Sequence, residues 1–252
     1  MTKIIMHGCN GRMGHVIANL IKQEDGLELV AGIDKQNEEK RDFPVFTNIE
    51  DCNVKADVII DFASPDAIDV LLDYLLVKKI PCVLCTTGLT DKQLVRIEAV
   101  SDEVAILKSA NMSIGINLLE KLIKDATKVL ANAGFDIEIV EKHHNKKVDA
   151  PSGTALALGE AAKEALEESY NFVYDRSERR EKRAKNEIGI SSVRGGTIVG
   201  EHDIIFAGED EVLTLSHTAY SRSIFGKGAI QAAKFLHGKT AGLYTMKDVI
   251  EK

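Results

Sequence analysis

Lys3-Ile4-Ile5-Met6-His7-Gly8-Cys9-Asn10-Gly11-Arg12-Met13-Gly14 lies near the start of the chain, and Leu27-Glu28-Leu29-Val30-Ala31-Gly32-Ile33-Asp34 follows shortly after. Lys3–Met6 is a short apolar strand. Over Gly11–Glu24 the apolar residues Met13, Val16, Ile17, Leu20 and Ile21 recur at helical spacing, and Leu27–Ile33 is a second strand that stops at Asp34. Strand, glycine turn, helix and strand make one β-α-β unit with a right-handed crossover. The three glycines divide the turn between them. Gly8 lets the chain reverse, Gly11 lets backbone approach a pyrophosphate, and Gly14 lets helix and strand pack closely. Asn10, where a further glycine is usual, tolerates left-handed backbone better than most residues.

The helix that follows presents unpaired N–H groups, which suit phosphate. A glycine-rich turn without a ligand would explain the spacing alone. Asp34 adds to it, because it lies 20 residues past Gly14 at the end of the second strand. There a carboxylate accepts hydrogen bonds from the ribose hydroxyls of NAD. The reading is a dinucleotide site in which Asp34 repels a 2′-phosphate while Lys35 and Arg12 offset that by pairing with it. NADH is favoured over NADPH, which stays open.

Outward from this unit the pattern repeats. Ala56–Phe62 and Pro81–Cys85 are continuous apolar runs bounded by turn residues, as parallel strands buried on both faces are. Pro65–Val77 reads as a helix with Ser64 as cap and proline at its first position. Thr90-Asp91-Lys92-Gln93 is a capping box for a helix through about Ser101, and Val104–Leu107 is another strand. The sum is an α/β protein with a doubly wound parallel sheet. Beyond it the character changes. A long helix over Ile114–Ala131 precedes a strand at Asp136–Glu141 and a helix at about Ser152–Ser169. Strands then run from Glu187 to Ala219, broken at Gly195-Gly196 and Gly208-Glu209-Asp210, which marks a second domain. Ile224–Leu236 is helical again, with Ala229, Ala232 and Ala233 small enough for close packing. Asp175–Glu187 carries six basic and four acidic residues, and reads either as a solvated helix or loop or as an arm reaching a neighbouring subunit.

The chain has 252 residues, 44% apolar and 28% charged, which excludes disordered and fibrous classes and fits one large or two smaller domains. No apolar run is long enough for a membrane span, and the apolar stretch before Gly8 is too short for a signal peptide, so a cytoplasmic protein is expected. A net charge of -7 makes nucleic acid an unsuitable partner, although a local cluster of positive charge still allows a small anion. Cys82 and Cys85 have C-x-x-C spacing within a buried strand rather than at a helix start. With Cys9 and Cys52 they read as reduced core thiols, and no metal site is expected.

A second group of polar residues follows the strand that ends near Glu141: His143-His144-Asn145-Lys146-Lys147-Val148-Asp149-Ala150-Pro151-Ser152-Gly153-Thr154-Ala155. Two histidines and a lysine between strand and helix are candidates for proton transfer. Ser152-Gly153-Thr154 opens a helix, whose terminus binds a carboxylate through N–H groups and hydroxyls. The plain readings are solvated lysines and helix-start punctuation. Adjacent histidines point apart in extended chain, so they do not share a metal ion.

This run resembles the signature of the dihydrodipicolinate reductase (4-hydroxy-tetrahydrodipicolinate reductase) family of lysine biosynthesis. The likeness extends over nearly the whole chain. Gly8–Gly14 resembles the family's cofactor loop, Phe62-Ala63-Ser64-Pro65 its F-[ST]-x-P turn, Thr86-Thr87-Gly88 the end of its G-T-T-G, and Asn111–Asn117 its N-F-S-x-G-V-N segment. Arg194-Gly195-Gly196 with Gly200-Glu201-His202 resembles R-x-G-x(3)-G-x-H, and Arg222 the R-x-x-F near the C-terminus. Cys85, Ser109-Ala110 and Met112 depart from the family pattern on the nicotinamide side, which bears on cofactor affinity and preference.

The resemblance implies hydride transfer from NADH or NADPH to a cyclic imine dicarboxylate, giving tetrahydrodipicolinate in the diaminopimelate route. His143 is then the general acid and Lys147 its partner. His144, Ser152, Gly153, Thr154 and Arg222 hold the substrate's carboxylates. The cofactor set is Gly8, Cys9, Asn10, Gly11, Arg12, Met13, Asp34, Lys35, Cys85, Thr86, Thr87, Ser109, Ala110, Asn111 and Met112. The implied fold is a Rossmann-type domain, 1–112 plus 222–252, with a mixed-sheet α+β domain for substrate and assembly inserted at 113–221. A homotetramer and a hinge near 112–114 and 219–222 are expected. Homoserine- or aspartate-dehydrogenase relatives lack the His-His-x-x-Lys run into Asp-Ala-Pro-Ser-Gly-Thr, and a non-enzymatic dinucleotide sensor would have no need of His143 or Lys147.

Overall fold

The computed structural model describes residues 1–37 and 40–251. Two compact units make up the chain, Met1–Ile114 with Arg222–Lys252 and Gly115–Ser221.

The first unit is a seven-stranded parallel sheet: β1 (Thr2–His7), β2 (Leu27–Ile33), β3 (Val45–Phe46), β4 (Val58–Asp61), β5 (Cys82–Leu84), β6 (Ala105–Lys108) and β12 (Gly242–Tyr244). The strands lie in the order β12-β6-β5-β4-β1-β2-β3. Helices α1 (Arg12–Lys22), α2 (Ile68–Lys78), α3 (Asp91–Ser101), α6 (Ser223–Leu236) and the short α7 (Met246–Ile250) complete the unit. The order reverses between β1 and β4, and open α/β sheets bind ligands at that switch point, beyond the carboxyl ends of the strands. The central strands are wholly buried, with Ile4, Ile5, Ile59, Ile60, Val83 and Leu84 all at 0% exposure, which is why they read as unbroken apolar runs. Ala229, Ala232 and Ala233 are buried as their size suggested. A Cβ on Gly228 would overlap the carbonyl oxygen of Met112, so α6 packs backbone against the end of the β6 loop.

The capping box at α3 forms as read, with Thr90 N–H donating to Gln93 Oε1 at 3.0 Å and Gln93 N–H to Thr90 Oγ1 at 3.3 Å. The start of α2 differs. Pro65–Ala67 is a 3₁₀ turn, α2 begins at Ile68, and Ser64 makes no side-chain capping bond. That turn is tightened by Ala67 N–H to Ser64 O at 3.0 Å, while the Pro65 carbonyl is drawn to the Gln93 amide at 2.8 Å.

The second unit holds α4 (Ile114–Leu130, whose first residue belongs to the first unit), β7 (Asp136–His143), α5 (Gly153–Lys163), β8 (Asn171–Val173), β9 (Glu187–Arg194), β10 (Gly200–Ala207) and β11 (Val212–Ala219). Its sheet runs β11-β10-β7-β9-β8, antiparallel on the β10 side of β7 and parallel on the β9 side, so it is mixed. Helix α5 stops at Lys163 rather than Ser169, because the chain turns back to pair Asn171 with Glu187. The charged segment 175–187 is a largely exposed loop up to Glu187, as one of the two readings had it, but two of its arginines fold back on the sheet. Arg176 grips Glu138 with two bonds of 2.8 and 3.0 Å, and Arg183 reaches Asp136 at 2.7 Å and Glu138 at 3.0 Å.

Candidate active site

The first unit opens a cleft of about 720 Å³ at the switch point, lined among others by His7, Gly8, Asn10, Gly11, Asp34 and Lys35. The glycine turn is built by close approach. Gly8 has φ +83°, and a Cβ there would lie 2.7 Å from the Phe62 carbonyl oxygen. A Cβ on Gly14 would overlap the carbonyl oxygens of Gly8 and Cys9. Gly11 is the N-cap of α1 and supplies no side-chain cap, and no acidic residue stands in the first turn. The first N–H groups of α1 are therefore not blocked by a capping side chain. Asp34 fixes the loop, its Oδ2 accepting from Asn10 N–H and its Oδ1 from Lys35 N–H, both at 2.8 Å. Beneath the cleft, Asp61 is fully buried. It accepts from Thr86 Oγ1–H at 2.6 Å and lies 2.8 Å from His7 Nδ1. These features fit a dinucleotide: an open helix terminus for phosphate and a carboxylate at the end of β2.

The second unit carries a polar network on the inward face of its sheet. Along β7 the buried positions are Ile137, Ile139, Glu141 and His143, since side chains alternate with period two. The first two join the apolar core, with Ala155 and Leu158 of α5 among their company, and the last two do not. Glu141 is 0% exposed. It accepts a two-pronged bond from Arg194, at 2.8 and 2.7 Å, and one from Ser152 N–H at 3.1 Å, and its Oε2 is 2.5 Å from His143 Nδ1. Burial pushes the Glu141 carboxyl up, but hydrogen bonds from Arg194, His143, Ser192 and Ser152 outweigh it and hold the group down to about 2. Beside it, His202 stands edge-on to His143 with ring centroids 5.2 Å apart, and its Nε2 is 3.2 Å from Ser152 Oγ. Burial, then the neighbouring His143, lowers His202 to about 4. Ser152 caps α5, its hydroxyl accepting from Ala155 N–H at 3.2 Å. One cluster thus joins an imidazole, a buried carboxylate and a helix N-terminus.

Family models described as dihydrodipicolinate reductase, N-terminus, and dihydrodipicolinate reductase, C-terminus, match residues 2–112 and 115–250. The chain belongs to the dihydrodipicolinate reductase family. A 4-hydroxy-tetrahydrodipicolinate reductase of Caldanaerobacter subterraneus subsp. tengcongensis is 54% identical over 252 residues, covering 100% of this chain and 99% of the relative. One of Clostridium novyi is 51% identical over 251 residues, with 100% and 99% covered. A solved structure of a dipicolinate-bound dihydrodipicolinate reductase from Paenisporosarcina sp. TG-14 superposes with a TM-score of 0.84 at 26% identity, over 99% of each chain. Aspartate dehydrogenase of Thermotoga maritima shares the fold alone, at TM-score 0.54 and 10% identity over 95% of this chain and 98% of that one.

As a member of this reductase family, the protein is an oxidoreductase that uses a nicotinamide cofactor. Of the residues the sequence singled out, Gly8, Asn10, Gly11, Asp34 and Lys35 line the cleft, whereas Cys9 is buried beneath it and Arg12 is exposed on the first turn of α1. Met13 is half-buried on that same turn. Burial raises the Cys85 thiol well above its usual value, and Asp61 adds to the effect, so the thiol stays protonated and inert. Thr87 is exposed, and Ser109 Oγ–H donates to the Asn111 carbonyl at 2.9 Å, stiffening the Ser109–Met112 loop together with Asn111 Oδ1, which accepts from Ser113 N–H at 2.9 Å. Lys147 is paired with Asp149 at 2.8 Å. His144 Nδ1 is buried with no hydrogen-bond partner among the described residues. Gly153 and Thr154 form the first turn of α5. Arg222 is exposed at the start of α6.

Sequence reasoning passed over Glu141, Arg194 and His202 as site residues, and over His7 in the cleft. The signal for two of them lay in strand phase: Glu141 and His202 occupy positions where β7 and β10 otherwise carry buried Ile and Phe.

Proposed function

We propose that this protein reduces 4-hydroxy-tetrahydrodipicolinate to tetrahydrodipicolinate in the cytoplasmic diaminopimelate route to lysine. The observation that carries the reading is the His143 imidazole, tied through Nδ1 to a buried carboxylate that also holds Ser152, the N-cap of α5. Bound NADH or NADPH supplies the hydride. Gly8, Asn10, Gly11 and the first turn of α1 would hold its phosphates, and Asp34 the adenosine ribose, which favours NADH. The remaining cofactor contacts of the reading are Cys9, Arg12, Met13, Lys35, Cys85, Thr86, Thr87 and the Ser109–Met112 loop.

His143 donates a proton from Nε2 as electron density builds on the cyclic imine, because Nδ1 is committed to Glu141. Lys147 exchanges Asp149 for the substrate and stabilises the developing charge. Backbone N–H groups of Gly153 and Thr154 and the Ser152 turn bind one carboxylate at the positive end of α5. His144, whose buried Nδ1 lacks a partner among the described residues, and Arg222 serve the other. Because hydride and proton must reach one small ring in the same turnover, closure about residues 112–114 and 219–222 is part of the proposed cycle.

Assembly as a homotetramer would use the free edge of the second unit's sheet, where Val212 is 63% and Leu213 44% exposed on β11. The test of function is direct. The protein is mixed with enzymatically generated substrate and each nicotinamide, and absorbance is followed at the reduced-cofactor band. Substrate-dependent oxidation, faster with NADH at equal concentration, is expected, and no oxidation with either cofactor would overturn the reading.

A further inference from the structure

We infer that Glu141 is a positioning residue that sets which nitrogen of His143 carries the transferable proton and locks that ring to the anion-binding end of α5. The inference rests on the proposed role of His143 as the acid. Its ground is the hub of contacts around one carboxylate. A charge on the inward face of a strand is strongly unfavourable unless it is paired and hydrogen-bonded. Arg194 and Ser152 N–H already satisfy Glu141 as a structural pair. The further contact, to His143 Nδ1 at 2.5 Å, falls outside that structural pair and goes to the proposed acid.

An ionised carboxylate only accepts, so the proton of that bond sits on Nδ1, and exchange with a ligand must run through Nε2. Gly200 packs beside the Nε2 edge. A Cβ on Gly200 would lie 3.1 Å from it, so a glycine there spares the nitrogen a neighbouring side chain. His202 closes the other side edge-on, and its own Nε2 reaches Ser152 Oγ. The same carboxylate therefore fixes the acid and the helix turn that would grip the substrate, at a common origin. Arg194 extends the lock, since its Nη2 also donates to the Asp149 carbonyl at 2.6 Å.

Glu141→Gln tests this, because the glutamine amide can donate to Nδ1 and so favour the opposite tautomer without changing side-chain size. The expected result is a fall in kcat of ~10²–10⁴-fold with the nicotinamide KM unchanged, the scale of comparable tautomer reversals. Glu141→Asp should restore part of the loss. In a His143→Gln background, Glu141→Gln should add less than about threefold, since the two act as one unit. Nitrogen NMR of the histidines in the full chain without cofactor should show His143 as the Nδ1–H tautomer in the wild type and as Nε2–H in Glu141→Gln. Unchanged kcat in Glu141→Gln, or a wild-type Nε2–H tautomer, overturns the inference. If Glu141→Gln does not fold, the wild-type tautomer alone decides it. Full turnover in His143→Gln would instead overturn the acid role, while the tautomer would still report on Glu141.

Discussion

Arg194 closes a fork on Glu141, Nη1 to Oε2 at 2.8 Å and Nη2 to Oε1 at 2.7 Å, across 53 residues of sequence. The planar guanidinium matches the carboxylate in a way that a lysine ammonium does not. Arg194→Met strands a buried negative charge and is expected to lower stability by about 3–5 kcal/mol. Arg194→Lys should recover only part of that. Urea denaturation midpoints of the three proteins check the order, and a Met variant as stable as the wild type would mean that the fork contributes nothing.

His202 gives the folded protein a pH dependence of known sign. Its ring is held to about 4 by burial first and by His143 next, against an ordinary value near 6.5. Between those values the unfolded chain takes up a proton that the folded chain refuses. Stability is therefore full above about pH 6.5 and falls as pH drops towards 4, by an amount on the order of 2–3 kcal/mol. His217, also lowered by burial, acts in the same direction. Glu141 adds a further loss only below its ordinary value of 4.5, as pH falls towards about 2. His202→Gln should flatten the slope of unfolding free energy between pH 4 and 6.5 by about one proton, and an unaltered slope would remove His202 as its source.

Asp34 has two tasks in the cleft, and a substitution separates them. Its Oδ2 anchors Asn10 N–H at 2.8 Å, which shapes the turn for either cofactor. In the proposed complex it also binds the adenosine ribose. Asp34→Ala should weaken both nicotinamides through the loop, and NADH by ~10-fold or more beyond that, the scale of a hydrogen bond to a charged group. Fluorescence titration with each cofactor measures it. Equal losses would leave Asp34 as a loop anchor alone.

Much of the first unit was legible because its signals are local. Gly8, Gly14 and Asp34 lie in one β-α-β unit, and Thr90 and Gln93 are three residues apart. The misreadings came where distant contacts decide. Ser64 lost its capping role in a turn whose Pro65 carbonyl is drawn to Gln93 of another helix. Strands β8 and β12, of three residues each, are too short to show a period. The exposed loop 175–187 hid the pairing of Arg176 and Arg183, because Glu138 and Asp136, their partners, stand about 40 residues upstream. In the second unit, His143 and Ser152 were visible as chemistry. Glu141 was not, because an acidic residue at a strand end reads as surface until its phase is matched to Ile137 and Ile139.

The claim on which the rest depends is that His143 delivers a proton to the substrate as hydride arrives. Steady-state turnover of His143→Gln, measured with enzymatically generated substrate and NADH alongside cofactor affinity by fluorescence titration, tests it most directly. The expected result is a kcat lower by ~10²–10⁴-fold with NADH binding unchanged. Turnover equal to that of the wild type would contradict it.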